Sequence, residues 1–252
     1  MVFLPGFNEP TLALLYAPEP TWAGRLENVS SNCLVSLVTL ATGASQPGSS
    51  NSGATTAVVI ATSPALPHSS LAVYPCPPDL GGTLIVTANG VLHLEQSGKV
   101  IGTPANAWFG KEWFGSGGRT TGTAQAETTV REGLEGSRVV FIANDKAIVF
   151  CKSGSILELV LQTSGRSVSS MKLDKVAGGT PASCVERIRG SVGRFGEQGY
   201  VFVGSEVGES ALVSWEIGNA GASAGTAREV LYAEDDEMDL DEDQGALLHK
   251  PD

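Results

Sequence analysis

An all-β fold built from antiparallel meanders is what this sequence predicts, and three observations carry it. The apolar runs are of strand length, and no segment sustains the 3.6-residue apolar period of a long helix. Turn-forming pairs separate the runs at hairpin spacing. The 252 residues include 31 Gly and 13 Pro, set among short stretches of Val, Thr, Ser and Leu. A chain of this length buries a sizeable core as one or two domains.

The runs follow in order. Thr11–Tyr16 is the first, then Cys33–Leu40 and Ala57–Ala61. Ser70–Tyr74, Thr83–Thr87 and Val91–Leu94 come next, the last two joined through Asn89-Gly90. Val139–Ala143, Ala147–Cys151, Ile156–Leu161 and Val168–Leu173 succeed one another across Asn144-Asp145, Ser153-Gly154 and Ser164-Gly165. Four strands over about 40–45 residues is the rhythm of one propeller blade. Tyr200–Val203 and Ala211–Ile217 flank a turn holding Gly204, Ser205, Gly208 and Ser210. Its glycines permit left-handed backbone and its serines can accept from turn amides. The sequence thus predicts three to four blades over residues 1–217.

Three segments interrupt the strands. Residues 41–56 form a Gly/Ser-rich stretch and residues 102–135 a Gly-rich connection, both expected as flexible surface loops. Residues 218–252 read as a disordered linker with an acidic tail. Eight acidic residues lie in Glu234–Asp243, so the rest of the chain carries only −3 of the formal −11. That near-neutral remainder argues against a duplex-binding surface made from a general basic excess. The tail reads as a solubilising linker, with salt-dependent docking to a basic partner segment or an import factor as the competing expectation.

Cys33, Cys76, Cys151 and Cys184 are widely spaced, without Cys-x-x-Cys pairs or His at zinc-ligand spacing, and read as small buried apolar residues in a reducing compartment. The first ten residues lack a basic leader region and contain Pro5 and Pro10, so no secretory route is expected. No run approaches the roughly 18 apolar residues of a membrane span, and no membrane partner is expected. Asn28-Val29-Ser30 is then a coincidental sequon.

Several segments share a further pattern. The hairpin turn reads GSxxGxSxLV, with Gly204, Ser205, Gly208 and Ser210, and Gly81–Gln96 reads GG-x-L-x-x-x-x-N-x-x-x-H-x-x-Q, with Gly81, Gly82, Asn89 and His93. Pro5–Tyr16, TWAGR at Thr21–Arg25 and Asn144–Leu173 with SGRSVS continue it in order. Over about residues 3–217 these resemble the large β-propeller scaffold family that includes the largest subunit of the cleavage and polyadenylation specificity factor, of fungal type. The large subunit of the damaged-DNA-binding complex and a propeller subunit of the branch-site splicing factor are its relatives. TWAGR and the acidic tail favour the polyadenylation branch. Glu206 departs from the pattern, since relatives often carry Arg there.

The resemblance implies part of the first ring, an N-terminal Mms-type domain, of a seven-bladed propeller. A fragment of a longer product is therefore expected, because an open ring leaves edge strands unpaired. It also implies a nuclear, non-enzymatic scaffold holding WD-repeat and zinc-finger subunits that read the polyadenylation signal, with pre-mRNA contacted mainly indirectly. A ubiquitin-ligase or DNA-repair adaptor, and a direct single-stranded RNA binder, are the alternative expectations.

Chemistry-bearing motifs are weak. Gly48–Thr55 has the glycine spacing of a P-loop, but Ala54 replaces its lysine and a strand follows it. Ser205 and Ser210 lie near glycines, but neither has Gly at both the −2 and +2 positions of a nucleophile elbow. The histidines are His68, His93 and His249, and His93 inside a strand reads as packed. Asp145 and Asp174 are isolated turn carboxylates. Neither enzyme activity nor a cofactor or metal is expected. Trp108, Phe109, Trp113 and Phe114 crowd WFGKEWFG and form either a plug over a blade or a partner contact. Arg187, Arg189 and Arg194 make at most a small basic patch.

Overall fold

The computed structural model describes residues 1–26, 31–42, 55–114, 130–165, 167–188 and 198–216. The acidic tail, most of the 41–56 insertion, residues 115–129, Arg166, Arg189, Arg194 and His249 lie outside them. Four antiparallel sheets follow one another along the chain. The first holds β1 (Val2–Leu4), β2 (Thr11–Tyr16), β3 (Ser31–Thr42) and β4 (Thr55–Thr62) in that order, with β5 (Leu66–Pro67) also on β3. A short helix α1 (Ala23–Leu26) links β2 to β3. The second sheet runs β6 (Ser70–Pro75), β7 (Thr83–Thr87), β8 (Gly90–Leu94), β9 (Val100–Pro104), and helix α2 (Phe109–Phe114) follows it. The third runs β10 (Arg138–Phe141), β11 (Lys146–Phe150), β12 (Ser155–Ser164), β13 (Ser167–Gly178), which are the four strands expected between Val139 and Leu173. The fourth holds β14 (Cys184–Ile188), β15 (Gln198–Gly204) and β16 (Ala211–Glu216).

Side chains alternate across each strand, so a sheet lying between two others must be apolar on both faces. The second sheet meets that demand. Leu84, Val86 and Val91 enter one cluster with Val149, Leu157, Leu159 and Leu161 of the third sheet. Their neighbours Ile85, Leu92 and Leu94 enter another with Ala13, Val35 and Leu37 of the first. The third sheet does the same, because Ile148, Phe150 and Ile156 turn toward Val201, Val203 and Trp215 of the fourth. Three clusters thus fill three successive seams, and each sheet packs on its neighbours in sequence.

The terminal sheets behave differently. On the first, Phe3 pairs with Leu12, Leu12 with Val38, and Val38 with Val59, a row directed away from the second sheet. Phe3 is 62% and Val59 60% exposed. On the fourth, Val201 and Val203 are buried while Tyr200, Phe202, Leu212 and Ile188 are exposed. Among the described residues no apolar cluster joins these two outer faces.

Residues 102–135, expected as a loop, instead open inside β9 and continue through Ala105 into α2. The physical reason is burial. Phe109 lies over Gly90 and Gly102, and a Cβ on Gly102 would stand 2.8 Å from its ring. Two glycines thereby make a floor for one aromatic ring, which fixes the segment.

Candidate interaction surface

The aromatic segment is held at one rim of the sheets by polar contacts. The Asn89 carbonyl accepts from Ala105 N–H at 2.8 Å, and the Asn106 amide donates to Asn89 Oδ1 at 3.0 Å and Glu132 O at 2.9 Å. Asn106 Oδ1 then accepts from Trp108 N–H at 2.9 Å, capping the entry to α2. Ser69 donates to Glu112 Oε2 at 2.7 Å and Ser31 to the Glu112 carbonyl at 3.4 Å, so α2 rests where β3 and β6 begin. Asn89 is thus the peg of the rim.

The four aromatics of WFGKEWFG separate in this frame. Phe109 and Trp113 are buried in the seam between the first two sheets, their rings near-parallel at 6.4 Å. Burial removes both from any contact surface and makes them the plug. Trp108 is 62% exposed, with Lys111 Nζ 4.3 Å from its ring centre. The Phe114 side chain lies outside the described part. Trp22 of TWAGR is exposed as well, with Arg25 5.8 Å over its ring and paired to Glu19. Sequence reasoning took Trp22 as a family element only, because a solvent-facing Trp has the same sequence signature as a buried one.

Gly81, Gly82 and His93 meet at the opposite rim. Both glycines have positive φ, 69° and 73°. His93 is fully buried, and its Nε2–H donates to the Gly81 carbonyl at 3.2 Å while Nδ1 has no hydrogen-bond partner among the described residues. Burial holds the imidazole below its ordinary pKa, against the Gly81 bond and nearby Glu95, which raise it. A nearby cleft of about 470 Å³ lies among the 78–81 turn, Glu95–Ser97, Ser164 and Ser167.

Glu95 and Glu132 brace the seam between the second and third sheets from its two ends. Glu95 accepts from Ser167 Oγ at 2.6 Å and Val168 N–H at 3.2 Å across the seam. Partial burial raises its pKa, but Ser167, Ser97 and Lys99 outweigh that and hold the carboxyl low. Glu132 accepts from Ser155 Oγ at 2.5 Å, Ser153 Oγ at 2.9 Å and Lys175 Nζ at 3.1 Å. Ser155 is the main cause of its lowered pKa. Neither glutamate was singled out in the sequence, since each finds its partners through tertiary packing. Burial pushes the Cys151 thiol up to about 12, with Glu132 adding to it, and Cys76 is raised by burial too.

These shifts set a sign for pH. His93, Glu95 and Glu132 all have folded pKa values below their ordinary ones. The unfolded chain therefore binds protons first as pH falls, and stability present at neutral pH is lost on acidification. The His93 contribution begins to fade near the ordinary imidazole value of about 6.5, and those of the glutamates near about 4.3. Urea midpoints measured along a descending pH series check this. His93→Gln should flatten the first part of the curve and leave the second.

Ser205 accepts from Gly208 N–H at 3.1 Å and Val207 N–H at 3.3 Å, making the turn between β15 and β16. Ser210 leads into β16, and Glu206 N–H donates to Ser183 Oγ at 2.9 Å. Arg187 lies 5.6 Å over the Trp215 ring. No group of three or more metal-binding side chains occurs among the described residues, and no described helix is long and apolar enough to cross a membrane.

Consecutive antiparallel sheets of three to five strands, packed face to face along the chain, define a partial β-propeller. No family model matches the chain. Its sequence is similar to the cleavage and polyadenylation specificity factor subunit 1 of Drosophila melanogaster, 29% identical over 84% of this chain and 13% of that protein. It is also similar to subunit 1 of the same factor in Arabidopsis thaliana, 27% identical over 88% of this chain and 14% of that one. Protein CFT1 of Yarrowia lipolytica is 28% identical over 86% of this chain and 16% of its own length. The resemblance carried by the residue motifs is therefore to a segment of this large subunit. The chain spans only 13–16% of the length of these relatives.

Proposed function

We propose that this chain is a non-enzymatic scaffold module of the nuclear machinery that cleaves and polyadenylates pre-mRNA. The observation that carries the reading is the similarity to subunit 1 of the cleavage and polyadenylation specificity factor across 84–88% of the chain. The sheet architecture supports it, because stacked meanders offer rims and loops as docking surfaces without needing a reaction centre. Other subunits of that machinery, of WD-repeat and zinc-finger type, are the partners, and RNA is reached mainly through them. Trp108 is the proposed protein contact, being a large aromatic held open at the rim by α2.

Affinity purification of the tagged chain from cells that make it tests the assignment. Polyadenylation-factor subunits should co-purify. Recovery with cullin ubiquitin-ligase components instead would overturn it. Trp108→Ala should weaken partner capture about tenfold or more if Trp108 anchors the contact, with thermal stability unchanged. Undiminished capture removes Trp108 from the interface.

A further inference from the structure

The turn between β7 and β8 holds the one Asn-Gly pair of the sequence, Asn89-Gly90. Asparagine before glycine is open to attack on its own side-chain amide, because no Cβ on the next residue hinders the approach of that residue's backbone nitrogen to the asparagine Cγ. Here both reacting groups are tied. Gly90 N–H donates to Thr87 Oγ1 at 2.9 Å, and the Thr87 hydroxyl donates back to the Gly90 carbonyl at 2.9 Å. Asn89 Oδ1 accepts from the Asn106 side-chain amide at 3.0 Å, and the buried Phe109 ring lies over Gly90. Two of these restraints, Asn106 and Phe109, belong to the segment that enters α2. Lifting that segment would leave Thr87 alone to hold the pair.

We propose that Asn89 is a site of spontaneous deamidation, and that Thr87 and the docked 105–109 segment are the catch that keeps it shut. When the catch opens, the Gly90 nitrogen gives up its proton to hydroxide and attacks Asn89 Cγ. A bond from that nitrogen to Cγ forms, the Cγ–Nδ2 bond breaks, and ammonia leaves after taking a proton from water. The resulting cyclic imide adds water at either carbonyl, giving aspartate or isoaspartate. Water is the only net co-reactant and nothing is oxidised or reduced. Isoaspartate lengthens the main chain inside a tight turn, which carries the carbonyl of residue 89 away from the Ala105 and Asn106 N–H groups that it accepts from. The α2 segment and Trp108 then lose their seat. This goes beyond the scaffold reading and does not depend on it.

The test incubates the full chain at mildly alkaline pH and follows the peptide containing residues 89 and 90 by mass, with isoaspartate scored by enzymatic methyl transfer. Conversion in urea should be about tenfold or more faster than in the folded chain, since the reaction no longer waits for local opening. Thr87→Val removes the hydroxyl at nearly constant volume, and Asn106→Ala removes the tie on the Asn89 side chain. Each should speed conversion of the folded chain by about two- to tenfold, the worth of one hydrogen bond. Thr87→Ser keeps the hydroxyl and should hold the original rate, whereas Asn89→Gln should abolish the signal. Thermal melting shows which variants are folded. Equal rates for folded and urea-unfolded chain overturn the proposal. So does an unchanged rate in folded Thr87→Val and Asn106→Ala, or faster conversion at another asparagine than at Asn89 in urea.

Discussion

Phe109→Ala is expected to destabilise the chain by about 3–5 kcal/mol, the range for removing a fully buried aromatic ring. The ring is 1% exposed and sits on Gly90 and Gly102, inside the cluster that joins the first two sheets. Burying about 150–200 Å² of apolar surface at about 25 cal/mol per Å² gives a comparable upper value. The floor cannot collapse to refill the space, because both glycines lie in paired strands, Gly90 opposite Pro104 and Gly102 opposite Leu92. Equilibrium urea unfolding of Phe109→Ala beside Trp108→Ala checks it. The two aromatics are adjacent in sequence, yet only the first should move the midpoint. A change below about 1 kcal/mol for Phe109→Ala would mean that the ring is not a structural plug.

Gly82→Ala is the second large effect, again about 3–5 kcal/mol, from combined backbone strain and overlap. Gly82 has φ +73°, and an added methyl group would run into the Leu94 carbonyl and approach His93 Nε2 at 3.1 Å. Neither neighbour can withdraw, since Leu94 pairs with Thr83 and His93 with Leu84 in the central ladder of the second sheet. Gly165→Ala is the control. Its φ is +65° but none of the described residues beyond its chain neighbours lies within 4 Å of its Cβ position, so only the left-handed conformation is penalised, by about 1–2 kcal/mol. Thermal melting of the pair should separate steric overlap from backbone preference. Equal shifts for both would refute the overlap argument.

The strands that could be read directly were those whose signals are local. β10 to β13 alternate apolar residues between Asn144-Asp145, Ser153-Gly154 and Ser164-Gly165, so period and turn chemistry agree. The hairpin of β15 and β16 was legible for the same reason. β14 was missed because Glu186 and Arg187 interrupt its apolar pattern, and it forms by pairing with β15, whose sequence carries the stronger signal. β9 was hidden by Gly102 and Pro104 inside a glycine-rich stretch. Helix α2 is too short for a period to show, and its place is set by the distant glycine floor. Among candidate site residues, the motif spacing of Gly81, Gly82, Asn89 and His93 was visible, but not its cause. The structure supplies that cause: Gly82 leaves room for the His93 ring, and Asn89 pegs the entry to α2. Which of four neighbouring aromatics faces solvent was not readable, because α2 turns consecutive side chains to different sides.

The carboxylates Glu95 and Glu132 have a mechanical meaning. Glu95 bolts the turn between β8 and β9 to the start of β13, and Glu132 bolts the far end of the same seam to the turn before β12 and to β13. Two packed layers pinned at both ends cannot shear or fan apart without breaking a charged hydrogen bond. The second and third sheets are thereby held in register at both ends of their seam. The flanking seams rest on apolar packing, with Arg138 Nε donating to the Ser183 carbonyl across the later one.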